Sequence, residues 1–463
     1  MNRIFILLLS VIAVNTFKSQ DIKLLGTTLF GGANDHGVLY EYNVNNGTYT
    51  KKVEFNGLGN GQNPSGGVVQ GPNGKIYGMT QTGGASNNGV IYQYDLVTNN
   101  YSKLYEFSNS MNGKIPYGSL TIAPNGKFYG VTQYGGTANK GTLFEFNPAT
   151  NSYAKLRDFE GSFGVSPSGS LCLGSNGKLY GTTSSGGTRD EGIIYEYDIA
   201  TTIFTVKHVM QSFYDGNYPT TLIETSPGVF RGTNRYSVNS QGTIFHYNAN
   251  TNIFQKNYTF EYSIGSTPQE GLLKGNNGKL YGTTMYRGGF YNGVLFEFDP
   301  VSNQLSTLVN FQELPTGKTP FASPMQASNG KLYGTTFAGG ANYNGTIYEY
   351  DISTGQYTKK YDFVGTSDGR NPYHGQLLQV NYSQLGTGSV RKENTPLYPN
   401  PTKGLLYLPE GAQNAAIISP EGRLILAVKD VKTIDISAFP KGIYLIEITF
   451  DTKEKITRKI IKE

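Results

Sequence analysis

Apolar and polar residues alternate along this chain in short runs, and the runs come in fours. In residues 119–159 they read SLTIA, KFYGVTQ, GTLFEFN and YAKLRDF. β-Branched and aromatic residues with a period near two, bounded by turn residues, predict strands rather than helices. The first two runs join through Asn125-Gly126, a pair that predicts a two-residue type I′ hairpin. The same pair stands at Asn73-Gly74, Asn176-Gly177, Asn277-Gly278 and Asn329-Gly330.

The four-run unit repeats. A glycine in an LYG-type turn falls at Gly26, Gly78, Gly130, Gly181, Gly232, Gly282 and Gly334, in steps of 50 to 52 residues. A proline keeps the same period at Pro64, Pro116, Pro167, Pro219, Pro268, Pro320 and Pro372. Two markers on one period establish a tandem repeat of about 51 residues. Four antiparallel strands in a unit of that length predict an all-β chain whose body is a seven-bladed β-propeller. A β-solenoid has shorter coils and needs no tight hairpin in each. The first unit starts at DIKLLGTT without its first strand, and the last is followed by a spare one, GQLLQV. Residues 376–380 are therefore expected to complete the first blade, closing the ring and removing its open sheet edge.

Both ends depart from the period. Residues 1–20 carry Arg3 and an apolar run at 4–14, too short to span a bilayer. That pattern is a signal peptide, with cleavage expected near Ser19 or Gln20. No cysteine follows the run, which excludes a lipoprotein, and no other segment is apolar enough for a transmembrane span. The propeller is expected over 21–388 and a linker over 389–396. A separate small β domain is expected over 397–463, carrying LYPNPTKGLLYL and IDISAFPKGIYLIEI.

Composition narrows the function. Glycine is 60 of 463 residues, about twice ordinary usage, and its periodicity assigns it to turns. Cys172 is the only cysteine, so there is no internal disulfide and no thiolate metal cluster. The four histidines, His36, His208, His246 and His374, lack the spacing of a ligand pair. No metal and no cofactor are expected. Of 38 Lys and Arg, 2 lie in 1–20 and 12 in 391–463; of 33 Asp and Glu, 9 lie in 391–463. The remaining 21–390 holds 24 of each and is neutral, without the footprint of a nucleic-acid binder. A monomer is expected.

A residue present in every blade answers a need every blade has, which is folding. The Gly-Gly pairs at 31–32, 83–84, 135–136, 186–187, 288–289 and 339–340 precede strands and lack a following Lys-Ser/Thr, so they are turns and not phosphate loops. Glu41, Glu145, Glu196, Glu297 and Glu349 recur once per blade. A cross-strand pair with lysines such as Lys127, Lys178 and Lys331 explains them better than glycosidase chemistry. Function belongs where blades differ. In a propeller the strand 2–3 loops and the blade-to-blade connections share one face, and here those are the long, variable segments. The candidate ligand-binding residues on them are Lys114, Tyr117, Tyr134, Tyr286, Arg287, Tyr291, Lys318, Phe321, Tyr343, Arg370, Tyr373 and His374, with Phe290 and Phe337 beside them. Aromatic faces mixed with cationic donors suit sugar rings and acidic glycans; loop packing is the competing role for the aromatics. The unit around Gly232 loses its Gly-Gly pair and carries Arg231, Arg235 and His246, which marks either drift or a site. G-x-S-x-G, kinase and sialidase motifs are missing, and no catalytic residue is assigned.

The tail resembles the type A C-terminal sorting domain of the type IX secretion system. The residues that carry the likeness are Tyr398, Pro399, Asn400, Pro401, Gly404, Gly422, the IDIS run at 434–437, Gly442, Tyr444 and the basic end at 459–462. The resemblance implies a β-sandwich that the type IX machinery recognises in the periplasm. It further implies that the domain is cut off and its cargo released or attached to surface lipopolysaccharide. The repeats resemble the GloVer tandem-repeat family, for which no activity is implied. They also resemble kelch units in Gly83-Gly84, Tyr92, Tyr94-Asp95 and Tyr101, but no Trp stands where kelch places one. Together these readings give a secreted or surface-attached propeller that binds an extracellular ligand, polysaccharide foremost. A polysaccharide lyase or hydrolase on the loop face and a protein-binding scaffold are the alternatives.

Overall fold

The computed structural model describes residues 21–380, bar 109, 168, 239 and 240, and residues 402–463, bar 409–411, 420–423, 431 and 451–454. The signal-peptide segment, the linker, sorting-motif residues 398–401 and Gly422 lie outside the described residues. The chain divides into two compact units, 1–381 and 382–463.

Among the described residues of the first unit, strands fall into seven antiparallel sheets. The sheet around Gly130 is typical. Its strands Lys114–Ile122, Phe128–Tyr134, Thr142–Asn147 and Ser152–Asp158 pair in chain order. In two sheets the first strand is split: Val165–Pro167 and Cys172–Leu173 pair with one neighbour, as do Asn217–Pro219 and Ile223–Ser226 with another. The arrangement is a β-propeller. Its first sheet is completed from the other end of the repeats. Leu378–Val380 pairs with Lys23–Thr28 in the register Lys23↔Val380, Leu24↔Gln379 and Leu25↔Leu378. This is the closure the repeat count predicts.

The marker glycine has a steric cause. At all seven markers a Cβ would lie only 2.3–2.8 Å from an aromatic ring atom of the third strand. At Gly181 the obstacle is Tyr195 Oη at 2.3 Å. The ring fills the groove that the missing side chain leaves, and the sheet packs without a void. Gly181→Ala is expected to destabilise the fold by about 1–3 kcal/mol, the ordinary cost of overpacking. An unchanged urea midpoint would contradict this account of the repeat.

The hairpins differ from the type I′ expectation. Gly74, Gly126, Gly177, Gly278 and Gly330 take positive φ, but their preceding asparagines do not. In the hairpin of Gly126, Gly126 N–H donates to Ala123 O at 3.0 Å and Ala123 N–H to Lys127 O at 3.0 Å. This is a type I turn followed by a left-handed glycine, the three-residue hairpin. Asn125 serves through its side chain instead. Its Oδ1 accepts Lys127 N–H at 3.1 Å, and its Nδ2 donates to Tyr129 Oη at 2.8 Å.

The recurrent glutamate is a scaffold residue. Lys178 Nζ lies 2.9 Å from Glu196 Oε1, while Tyr180 Oη donates to Oε2 at 2.7 Å. Lys127–Glu145, Lys279–Glu297 and Lys331–Glu349 repeat the pair at 2.6, 3.0 and 2.8 Å. Burial alone would raise the Glu196 carboxyl; the Tyr180 and Lys178 hydrogen bonds outweigh it and hold the group below its usual range. In the unit of Gly232, Arg231 stands at the tyrosine position and His246 at the glutamate position. Arg231 Nη1 donates to Asn257 Oδ1 at 3.0 Å, and His246 Nδ1 lies 3.1 Å from the same oxygen. Those two departures repair one another locally. Cys172 is half-buried against its core, and burial pushes its thiol up to about 11, which leaves it unreactive at neutral pH.

In the second unit, Leu424–Lys429, Ala412–Ile418, Gly442–Phe450 and Lys455–Lys462 form one antiparallel sheet, and Leu405–Tyr407 pairs with Thr433–Asp435. Leu406, Ile417, Ile436, Ile446 and Ile448 are among its core. Gly404 of the sorting pattern passes so close to Ser437 that a Cβ would sit 2.8 Å from the serine Cβ. Buried Tyr444 donates its hydroxyl to Pro440 O at 2.8 Å. Gly442 opens the strand that carries Tyr444.

Candidate functional site

The blade-to-blade connections run beside the strand 2–3 loops. Isolated bridges join Gln62 to Thr82, Ser266 to Tyr286, Lys318 to Ala338 and Phe30 to Arg370. The Gly-Gly turns make this approach possible. Gly135 and Gly136 both take positive φ, and a Cβ on Gly135 would lie 2.5 Å from the Gly113 backbone.

Exposed aromatic residues of the propeller are confined to this face. Among the described residues they are Tyr134, Phe163, Phe213, Tyr214, Tyr218, Tyr236, Tyr262, Tyr286, Phe290, Tyr291 and Tyr343. All eleven lie in, or at the strand ends of, blade-to-blade connections and strand 2–3 loops. The strand 3–4 turns of the opposite face expose Val97, Ile203 and Val301, with Ile253 where the fourth strand begins, and none of these is aromatic.

One part of this face is a cleft of about 380 Å³ between the units of Gly232 and Gly282, lined by Gln241, Tyr262, Ser266, Thr267, Tyr286, Arg287 and Tyr291. Tyr262, Tyr286 and Tyr291 are 58%, 47% and 69% exposed. The Arg287 guanidinium carbon lies 4.6 Å from the Tyr262 ring centre and 5.6 Å from that of Tyr291. Stacked so, the arginine is held in place with its fork still able to donate. Tyr286, Arg287 and Tyr291 are thus brought together as their spacing suggests, while Tyr262 comes from a connection the sequence reading passed over. Phe290 is exposed in the same loop. Tyr343 stands in the equivalent loop of the next unit.

A second group meets near the ring axis. His374, Tyr117, Phe321 and Tyr373 pack together: ring centres are 5.4 Å apart for Tyr117–His374, 4.6 Å for Phe321–Tyr373 and 4.0 Å for Tyr373–His374. Tyr117 and Phe321 are buried, and Phe337 packs on Phe321 at 5.0 Å. Glu270 Oε2 lies 3.2 Å from His374 Nδ1, and Glu270 Oε1 accepts the Thr221 hydroxyl at 2.5 Å. Burial raises the Tyr117 phenol, with Arg235 opposing it, and burial lowers the His374 imidazole, with Arg235 adding to it. For His374 burial is the main cause, and the ring is neutral at pH 7. Glu270 is not singled out by the sequence reading, and Arg235 stands out there only as part of the divergent unit of Gly232. A signal for Glu270 exists: two places after the repeat proline stand Gly66, Gly118, Gly169, Thr221, Glu270, Ala322 and His374. Small residues hold that position except at Glu270 and His374.

The remaining candidates are dispersed. Lys114 pairs across its sheet with half-exposed Tyr134. Lys318 is ion-paired with Glu313. Arg370 closes the ring on this face. Its Nε and Nη2 donate to Asp35 Oδ1 and Oδ2 at 3.1 and 2.8 Å, and the Arg370 hydrogen bond holds the Asp35 carboxyl below its usual range. Among the described residues no cluster of three or more acidic, histidine or cysteine side chains is placed to hold a metal ion.

Residues 13–174, 159–327 and 277–395 match the model of the Gloeobacter/Verrucomicrobia repeat, which accounts for most of the chain. The chain belongs to the Gloeobacter/Verrucomicrobia repeat family. Residues 396–463 match the secretion system C-terminal sorting domain. This family member is therefore type IX cargo, secreted or held at the outer surface. No helix of its described residues is long and apolar enough to cross a membrane. No curated protein matches it. Among solved structures it is similar to a proposed 6-phosphogluconolactonase of Bacteroides fragilis, with TM-score 0.54 and 15% identity over 79% of this chain and 99% of that one. A second, from Bacteroides uniformis, gives 0.53 and 14% over 78% and 99%. At such identity the likeness is one of fold, and it places the repeats among propellers.

Proposed function

We propose that this exported propeller binds an extracellular polysaccharide across its loop face. The observation that carries the reading is the one-sided exposure of the propeller's aromatic residues. Exposed apolar surface of this extent is costly to keep unless something covers it. Tyrosine offers a flat apolar face to the C–H side of a sugar and a hydroxyl to its rim. Arg287 adds a planar fork suited to a carboxylate or sulfate, so acidic glycans are the preferred class.

The test is binding of the full chain to a panel of neutral and acidic polysaccharides, with product analysis on every hit. Binding with the polymer left intact is expected. Shortened chains with new reducing ends or unsaturated termini would instead identify a hydrolase or a lyase. Failure to bind any polysaccharide, with retention on surface protein, would replace the proposal by a protein-binding scaffold.

A further inference from the structure

Beyond the loop-face cleft, we propose that the cavity on the ring axis is a separate binding site for one small neutral hydroxylated molecule, a free sugar or polyol. The cavity holds about 290 Å³ and draws its lining from the inner segments of all seven units. That is the lower end of the size range for small-molecule sites. Its walls mix aliphatic side chains, Leu120, Leu171, Leu272 and Leu377 among them, with polar ones.

Of its polar side chains, Thr121, Thr221, Ser323 and Gln376 already donate within the protein, and Glu270 and His374 are the two that can accept from an occupant. His374 is 4% exposed, yet its Nε2 has no hydrogen-bond partner among the described residues. Nδ1 lies 3.2 Å from Glu270 Oε2, which leaves Nε2 as the nitrogen that faces no protein partner. Buried polar groups are rarely left so, and one that borders a cavity is completed by what the cavity takes up. The chemistry of the occupant follows from what is offered. Glu270 and His374 are the only titratable side chains of the lining, which holds no lysine or arginine, and the Glu270 carboxylate disfavours anions. A carboxylate accepts only, and a neutral imidazole accepts at one nitrogen. The occupant must therefore supply at least two donors while resting on aliphatic walls. Neighbouring hydroxyls on a sugar or polyol ring meet both demands.

The experiment is calorimetric titration of the full chain with D-glucose, D-galactose, myo-inositol, n-butylammonium and D-galacturonate. At least one of the three neutral probes is expected to bind. Glu270→Gln is expected to weaken it tenfold or more, whereas Arg287→Ala leaves it unchanged, which separates this site from the cleft. In the unaltered protein, the ring-proton resonances of the buried histidine are expected to shift on titration, a readout that survives if Glu270→Gln fails to fold. The proposal is overturned if no neutral probe binds, if only the ammonium or the uronate binds, or if binding leaves the His374 resonances unmoved.

Discussion

A chain ending at residue 375 is expected to lose the cooperative unfolding that a chain ending at residue 390 shows. The five residues 376–380 carry no repeat of their own, yet the first sheet has no inner strand without them. Lys23–Thr28 would present its edge to solvent along Lys23, Leu24 and Leu25, and such an edge invites pairing with other chains. Leu377 and Val380, 4% and 2% exposed, would be lost from the core. Each buried aliphatic side chain removed costs about 2–5 kcal/mol. That sum is comparable to the whole stability of an ordinary domain, about 5–15 kcal/mol. The Arg370–Asp35 pair would remain, but an exposed pair contributes about 1 kcal/mol or less. Aggregation or a broad early melt of the shorter chain is the expected result. Two superimposable melts would show that the ring does not depend on its strand clasp.

Removal of residues 391–463 is expected to stop export almost completely and leave a folded propeller in the periplasm. The two units are separately compact, so the repeats keep their sheets when the tail is gone. The tail matches the sorting-domain model over 396–463, so the signal for export is expected there. Fractionation with an antibody to the repeats checks it. Normal surface or medium levels of the truncated protein would refute a sorting role for the tail.

How much of this was legible in the sequence depends on whether a residue repeats. Marker glycines and the proline are readable because every blade meets the same steric demand, and the Tyr-Glu-Lys network because four blades repeat it. The closure was readable by counting strands. The hairpin type was not, because Asn-Gly serves both two-residue and three-residue turns; the backbone of Ala123 and Lys127 decides between them. The cleft was partly legible. Tyr286, Arg287 and Tyr291 share one loop, but Tyr262 sits in a connection that varies between blades and so has no register to read. The axial group was least legible. Tyr117, Arg235, Glu270 and His374 come from different units, and only the ring brings them together. Arg235 is one of three departures in the unit of Gly232 that the sequence leaves open as drift or a site; two of them, Arg231 and His246, compensate each other, and the third acts on Tyr117 and His374.

The most direct test of the account compares polysaccharide affinity of the full chain with two double variants. Tyr286→Ala/Tyr291→Ala removes stacking surface from the loop face, while Ile253→Ala/Val301→Ala removes exposed apolar surface from the opposite side. Stacking is worth about 0.5–1.5 kcal/mol per aromatic contact beyond its area. The account predicts a tenfold or greater loss of affinity for the first variant and no change for the second. Equal affinity in all three proteins would contradict it.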